Sequence, residues 1–157
     1  MEFEEIYKIY WQKIFRLCMG YVNDFELAQD LTQETFIIVW QKYSSFRNES
    51  NIGTWIFRIA SNNCLRQIEK DSKLVKVDFP QNLVEEKSNT IEPQIQMLYK
   101  LISELPELDR IIISLELEDV SQIEIANIVG LSEANIRVKI HRIKSKLTTM
   151  FNANDER

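Results

Sequence analysis

The chain has few of the residues that break helices. Three glycines and three prolines are spread over 157 residues, and long stretches keep helical spacing, which predicts an all-α protein with few strands. There are two cysteines, Cys18 and Cys64, without Cys-x-x-Cys spacing. That argues against a disulfide framework or a zinc site, and both read as small core residues. The single histidine, His141, stands among cations, a poor setting for a metal centre or for a Ser/His or Cys/His pair. No glycine-rich phosphate loop and no nucleophile motif is present, and the paired carboxylates Glu85 and Glu86 lie where nothing would tune them. The expectation is a protein that is not an enzyme and uses no cofactor and no metal. The first residues, "MEFEEIYKIYWQKIF", lack a basic start and a continuous apolar run, and no later stretch is long and apolar enough to cross a bilayer. A cytoplasmic location without direct membrane insertion is expected.

Hydrophobic residues make up 45% of the chain and charged residues 27%, the balance of a soluble globular protein. Length alone allows one domain or two small ones. Acidic side chains outnumber basic ones, 24 to 19, for a formal charge of -5. Against that background "ANIVGLSEANIRVKIHRIKSKL" gathers Arg137, Lys139, Arg142, Lys144 and Lys146, opposed within the stretch by Glu133 alone. A charge run is usually a solvated helix face, so the stripe needs supporting features before it points to a ligand.

Apolar steps of three and four mark a first helix over residues 3–21, with Phe3, Ile6, Tyr7, Tyr10, Ile14, Leu17 and Tyr21 on one stripe. Asn23 and Asp24 break it, and either can cap the next helix. This second helix runs from about Phe25 to Tyr43, with Leu27, Ala28, Leu31, Phe36, Val39 and Trp40 inward and Glu26, Asp30, Gln33, Glu34 and Gln41 outward. "SSFRNESNIGT" is a loop, with Gly53 as breaker and Thr54 placed to cap a third helix. That helix, "TWIFRIASNNCLRQIEK", turns Ile56, Ile59, Ala60, Cys64 or Asn63, and Ile68 to a core. Trp55, Arg58, Asn62, Arg66 and Lys70 fall on a different face, basic and amide-rich. Periodicity then dissolves over residues 71–93, a stretch too long for an ordinary connection and read as a flexible linker. The division is a domain at 1–70, a linker at 71–93, a second domain at 94–151 and a polar tail at 152–157. In the second domain a helix carrying Ile95, Leu98, Leu101, Ile102 and Leu105 leads to Pro106, another spans about Leu108 to Leu117, and a turn covers Asp119 to Ser121.

Ser121 then caps "QIEIANIV", Gly130 ends it, and Ser132 caps a longer helix from Glu133 to about Met150. This is helix, tight turn, helix. Ala126 is small where the helices cross, Gly130 can take positive φ, and Ile136 with Ile140 supplies two knobs. Placing Ile136, Ile140, Ile143 and Leu147 inward puts Asn135, Arg137, Val138, Lys139, His141 and Arg142 on the outward arc. Such a helix in a major groove can hold guanine with Arg, adenine with Asn, and a thymine methyl with an apolar side chain. Lys144 and Lys146 suit phosphates. Both serine caps, Ala126, Gly130 and Ile136 coincide with the basic face, which outweighs the solvated-face reading.

"DLTQETFIIVWQKYSSFRNESNIGTWIFRIASNNCLRQIEK" and, beyond the linker, "LPELDRIIISLELEDVSQIEIANIVGLSEANIRVKIHRIKSKL" resemble regions two and four of the extracytoplasmic-function (ECF) group of the bacterial sigma-70 family. The resemblance implies two small helical domains and an RNA polymerase specificity subunit that binds core polymerase and recognises promoter DNA at its minus-ten and minus-thirty-five elements. On the first segment it assigns core-polymerase binding to Asp30, Gln33 and Glu34, continued by Trp40 and Gln41. Minus-ten contacts fall to Arg58, Arg66, Lys70 and Lys73 for phosphates and to Asn62 and Asn63 for base edges of the unpaired strand. Trp55 is a stacking candidate, although a half-buried core Trp is the commoner role, and Phe46, Phe57 and Trp40 also read as core. On the second segment the minus-thirty-five reader falls on Arg137, Val138, Lys139, His141 and Arg142, with Ser132, Glu133 and Asn135 at the helix start and Lys144 and Lys146 on phosphates. Val138 departs from the family, which often has a small residue there. The acidic "LELEDV" leaves the polymerase-flap contact unassigned. The resemblance also implies an anti-sigma partner.

Binding depends on where charges sit and not on their sum. An acidic surface for the polymerase and two basic helices for DNA reconcile the net charge with the basic stripe, and the low isoelectric point predicts weak DNA binding by the chain alone. Two weak sites tethered in the holoenzyme would gain about 100-fold or more in effective affinity. The competing expectations are a stand-alone helix-turn-helix regulator, dimeric on duplex DNA, and an interaction protein that keeps the fold without promoter activity.

Overall fold

The computed structural model describes residues 2–46, 51–67 and 91–155. These form seven α-helices: α1 Phe3–Val22, α2 Phe25–Lys42, α3 Ile52–Arg66, α4 Pro93–Ser103, α5 Glu107–Leu117, α6 Gln122–Val129 and α7 Glu133–Asp155. One turn of 3-10 helix, Tyr43–Ser45, follows α2. No strand occurs among the described residues, as the apolar spacing predicts.

The joints are set by capping chemistry. Asn23 takes the left-handed conformation at φ 48 and donates its N–H to the Met19 carbonyl at 2.9 Å, which ends α1. Asp24 then starts α2, its carboxylate accepting from the Leu27 N–H at 3.0 Å. The two residues that could each have served as a cap divide the work. At α3 the cap is Asn51, which accepts from the Gly53 N–H at 2.7 Å. Thr54, the expected cap, is buried in the first turn instead.

The stripe of α1 buries Phe3, Ile6, Tyr7, Ile14, Leu17 and Tyr21 against α2 and α3. Thr32 and Thr35 lie fully inside, possible because their hydroxyls donate to the Ala28 and Leu31 carbonyls one turn back. Trp40, expected inside, is exposed, as is Ile95 on α4. Trp40 stands at the rim, edge-on to Phe3 with ring centroids 5.0 Å apart.

In the second half, Ser121 accepts from the Glu124 N–H at 3.2 Å and Ser132 from the Asn135 N–H at 3.1 Å. Between these caps Gly130 takes φ 77, and both its N–H and that of Leu131 reach the Ala126 carbonyl. Ile136, Ile140, Ile143 and Leu147 are buried, as their spacing predicts. Truncating one of the isoleucines to Ala would cost about 2–5 kcal/mol in lost burial and cavity formation. α7 runs past its expected end near Met150 into the polar tail, to Asp155, with Phe151 half-buried and Asn154 donating to the Met150 carbonyl at 2.9 Å.

Residues 68–90, which hold most of the expected linker, lie outside the described residues. The helices on either side of them are in contact. α1 packs on α4 and α5, and α3 on α6, so the buried side chains form one continuous cluster. The two helical domains expected from the sequence therefore meet along a shared buried surface. Sequence periodicity reports that a face is apolar, but not which surface covers it.

Candidate nucleic-acid and polymerase interfaces

Helix α7 presents Asn135, Arg137, Val138, His141 and Arg142 to solvent, because Ile136 and Ile140 hold the opposite side in the core. Val138 is 46% exposed, an apolar side chain amid polar neighbours with no core to fill. Ser132 is also exposed, but its hydroxyl is engaged in the cap, so it positions the helix start; Glu133 lies beside it in the first turn.

The cations of this helix are partly neutralised, two of them by carboxylates distant in sequence and one by a carboxylate a turn away on α7 itself. Lys144 reaches Glu116 at 2.7 Å, Lys139 reaches Asp109 at 3.8 Å, and Arg137 reaches Glu133 at 3.8 Å. Glu116 and Asp109 come from α5, which no local reading could bring next to α7. Such surface pairs, exposed or partly exposed, stabilise by about 0–1 kcal/mol each, little enough for a phosphate to displace them. Among the described residues Arg142 and Lys146 form no ion pair, leaving them the readiest cations on the helix.

On α3, Asn62 and Arg66 are exposed and Arg58 is half-buried, with Arg66 Nε donating to the Asn62 carbonyl at 3.3 Å. Asn63 corrects the sequence reading. It is 7% exposed and its Nδ2 donates to Thr35 Oγ1 at 3.4 Å, since one step along the helix turns it by about 100° from Asn62 into the bundle. Lys70 and Lys73 lie outside the described residues. Trp55 is half-buried and stacks on Phe46, centroids 4.8 Å apart, while Phe57 is core.

On α2, Asp30 and Gln41 are exposed and Gln33 and Glu34 half-buried; with the exposed Trp40 they give an acidic, amide-rich face ending in an indole. Cys18 and Cys64 lie inside the bundle with sulfurs 3.8 Å apart. The contact with Cys18 and burial push the Cys64 thiol well above its usual range, so it stays protonated and inert.

A helix-turn-helix with an exposed cationic reading face, joined in one chain to a second helical module with its own polar face, defines a DNA-binding factor of two modules. Residues 6–74 match the model for Sigma-70 region 2, and residues 95–147 that for Sigma-70, region 4. The chain belongs to the extracytoplasmic-function group of the sigma-70 family, the RNA polymerase sigma factors. It is 29% identical to the ECF RNA polymerase sigma factor SigM of Bacillus subtilis, across 99% of this chain and 100% of that one. The identity to the ECF RNA polymerase sigma factor SigW of the same organism is 28%, across 92% of this chain and 86% of the relative. In fold it is similar to the sigma factor RpoE of Bartonella quintana, solved with the anti-sigma factor NepR, at a TM-score of 0.76 and 22% identity over 96% of both chains. CnrH, solved with the cytosolic domain of CnrY, gives a TM-score of 0.70 at 17% identity, covering 96% of this chain and 88% of that one.

Proposed function

We propose that the chain directs core RNA polymerase to promoters through two modules, residues 1–70 and 94–151, each with its own reading helix. The observation that carries this is the α6–Gly130–α7 motif, with Asn135, Arg137, Val138, His141 and Arg142 free to enter a major groove. In this reading Arg137 and Arg142 read base edges, and Lys139, Lys144 and Lys146 exchange carboxylates or solvent for minus-thirty-five phosphates. On α3, Asn62 meets an unpaired minus-ten base while Arg58 and Arg66 hold the strand. Asp30, Gln33, Glu34, Trp40 and Gln41 bind core polymerase, where an acidic, amide-rich surface suits a basic protein partner and would repel a phosphate backbone. The work is positional and electrostatic, not enzymatic, and is done in the cytoplasm.

An anti-sigma protein is proposed as the partner that holds the chain inactive, by analogy with the complexes in which the two similar folds were solved. The stand-alone regulator is disfavoured because the relatives match across both modules. The test is reconstitution with core polymerase on genomic DNA. Initiation at a discrete set of start sites is expected; no binding to core would sink the reading.

A further inference from the structure

Helix α5 sends two carboxylates onto the reading helix. Glu116 meets Lys144 at 2.7 Å and Asp109 meets Lys139 at 3.8 Å. The two acids are two helical turns apart and so share one face of α5, the face packed on α7. Each acid is the more covered member of its pair: Glu116 and Asp109 are 20% and 23% exposed, Lys144 and Lys139 59% and 33%. The carboxylates are thus held close to α5, while the lysine ends keep room to swing toward another anion. Asp109 also lies in a recess of about 180 Å³ lined by Lys139, Arg142 and Lys146 beside the buried Leu105 and Ile143. Three cations around one recess suit a phosphate, and the anion that meets them in this chain is a carboxylate of its own.

DNA phosphates and these carboxylates seek the same ammonium groups. A free lysine that neutralises a phosphate releases condensed counterions and strengthens binding to every sequence alike. A paired lysine must first give up its carboxylate, which is then left uncompensated close to the phosphate. The contact exchanges one attraction for another. Surface pairs of this kind shift an equilibrium by up to about fivefold each.

We propose that Asp109 and Glu116 are built-in competitors of DNA phosphate, which hold down the duplex affinity of α7 and flatten its salt dependence. The proposal rests on the reading of α7 as a DNA-contacting helix and adds the two residues that set its strength. Because phosphates carry no base information, the carboxylates lower affinity for all sequences equally and leave sequence preference intact. Net charge alone does not produce this pattern, since exposed charges more than about 10 Å apart are largely screened at about 0.1 M salt.

Isosteric amides remove the charge and keep the shape. The full-length chain with Glu116→Gln or Asp109→Asn should bind a short duplex of scrambled sequence about threefold tighter than wild type, and the double variant about tenfold, in fluorescence anisotropy at about 50 mM salt. The slope of log affinity against log salt should steepen by about 1 for each amide. Glu4→Gln, the same charge change at an exposed position on α1, should alter neither quantity. Lys144→Gln should abolish the gain from Glu116→Gln, because the carboxylate acts through that lysine. A double variant that binds no tighter than wild type, or a Glu116→Gln gain that survives Lys144→Gln, overturns the proposal. Holoenzyme carrying the double variant should gain on cognate and scrambled minus-thirty-five sequences by the same factor; a changed ratio would assign the carboxylates to base reading and overturn it as well. Should the chain fail to bind core polymerase, the sigma-factor reading falls, while anisotropy on duplex alone still decides the competition.

Discussion

Asn62 and Asn63 are neighbours in the chain with opposite fates: Asn62 faces solvent on α3, and Asn63 is turned into the bundle, where its amide donates to the Thr35 hydroxyl at 3.4 Å. Chemically the two are identical, so only the helix rotation separates a candidate base reader from a packing residue.

The pair therefore predicts a separation of phenotypes. Asn62→Ala should leave the melting temperature unchanged and reduce open-complex formation on a fixed promoter. Asn63→Ala should lower stability by about 1–2 kcal/mol, since a buried hydroxyl loses a partner. Thermal unfolding beside permanganate footprinting checks both; reduced melting temperature in Asn62→Ala alone would reverse the assignment.

On α7 the contacts should divide by type. Arg137→Ala or Arg142→Ala should weaken the best minus-thirty-five sequence by about 1–3 kcal/mol and relax preference at one base pair. Lys146→Ala should weaken all sequences alike and reduce the slope of log affinity against log salt by about 1. Holoenzyme binding to promoters randomised at minus-thirty-five distinguishes the two patterns.

Gly130 and Gly20 should tolerate alanine differently. Gly130 has positive φ with nothing within 4 Å of a built Cβ, so Gly130→Ala carries only the left-handed backbone cost of about 1–2 kcal/mol. Gly20→Ala would drive a methyl into Ser114. Its signature should be an enlarged scattering radius, a change that Gly130→Ala should not produce.

Alkaline pH should destabilise the fold. Contact with Cys18 and burial raise the Cys64 thiol above its usual 9.0, and desolvation raises Tyr10, Tyr21 and Tyr99 above 10.0. The folded state then holds protons that the unfolded chain releases. Stability is fully present below about pH 9 and declines as pH rises toward the folded-state values. Urea midpoints from pH 7 to 11 should fall above pH 9, with the first part of the fall missing in Cys64→Ala. A midpoint that is flat or rises over that range would contradict the burial of these groups.

What is local could be read from residue order alone. Helix faces follow from residue spacing, and the breaks at Asn23, Asp24 and Gly130 follow from side chains or backbone freedom that act within three or four residues. The reading face of α7 was legible for the same reason: once Ile136 and Ile140 face inward, Arg137 and Arg142 have only outward directions left. Asn63 was not settled, because Cys64 beside it offered an equally good inward choice and Thr35, its partner, comes from another helix. Thr54 lost its cap role to Asn51 because both lie within reach of the same first turn. Tertiary structure decided everything that depends on meeting across long separations. It set Asp109 and Glu116 against the cations of α7, and it joined Arg16 to Glu118. Those pairings depend on how helices cross in space, which requires the whole packed core, and no window of sequence contains it.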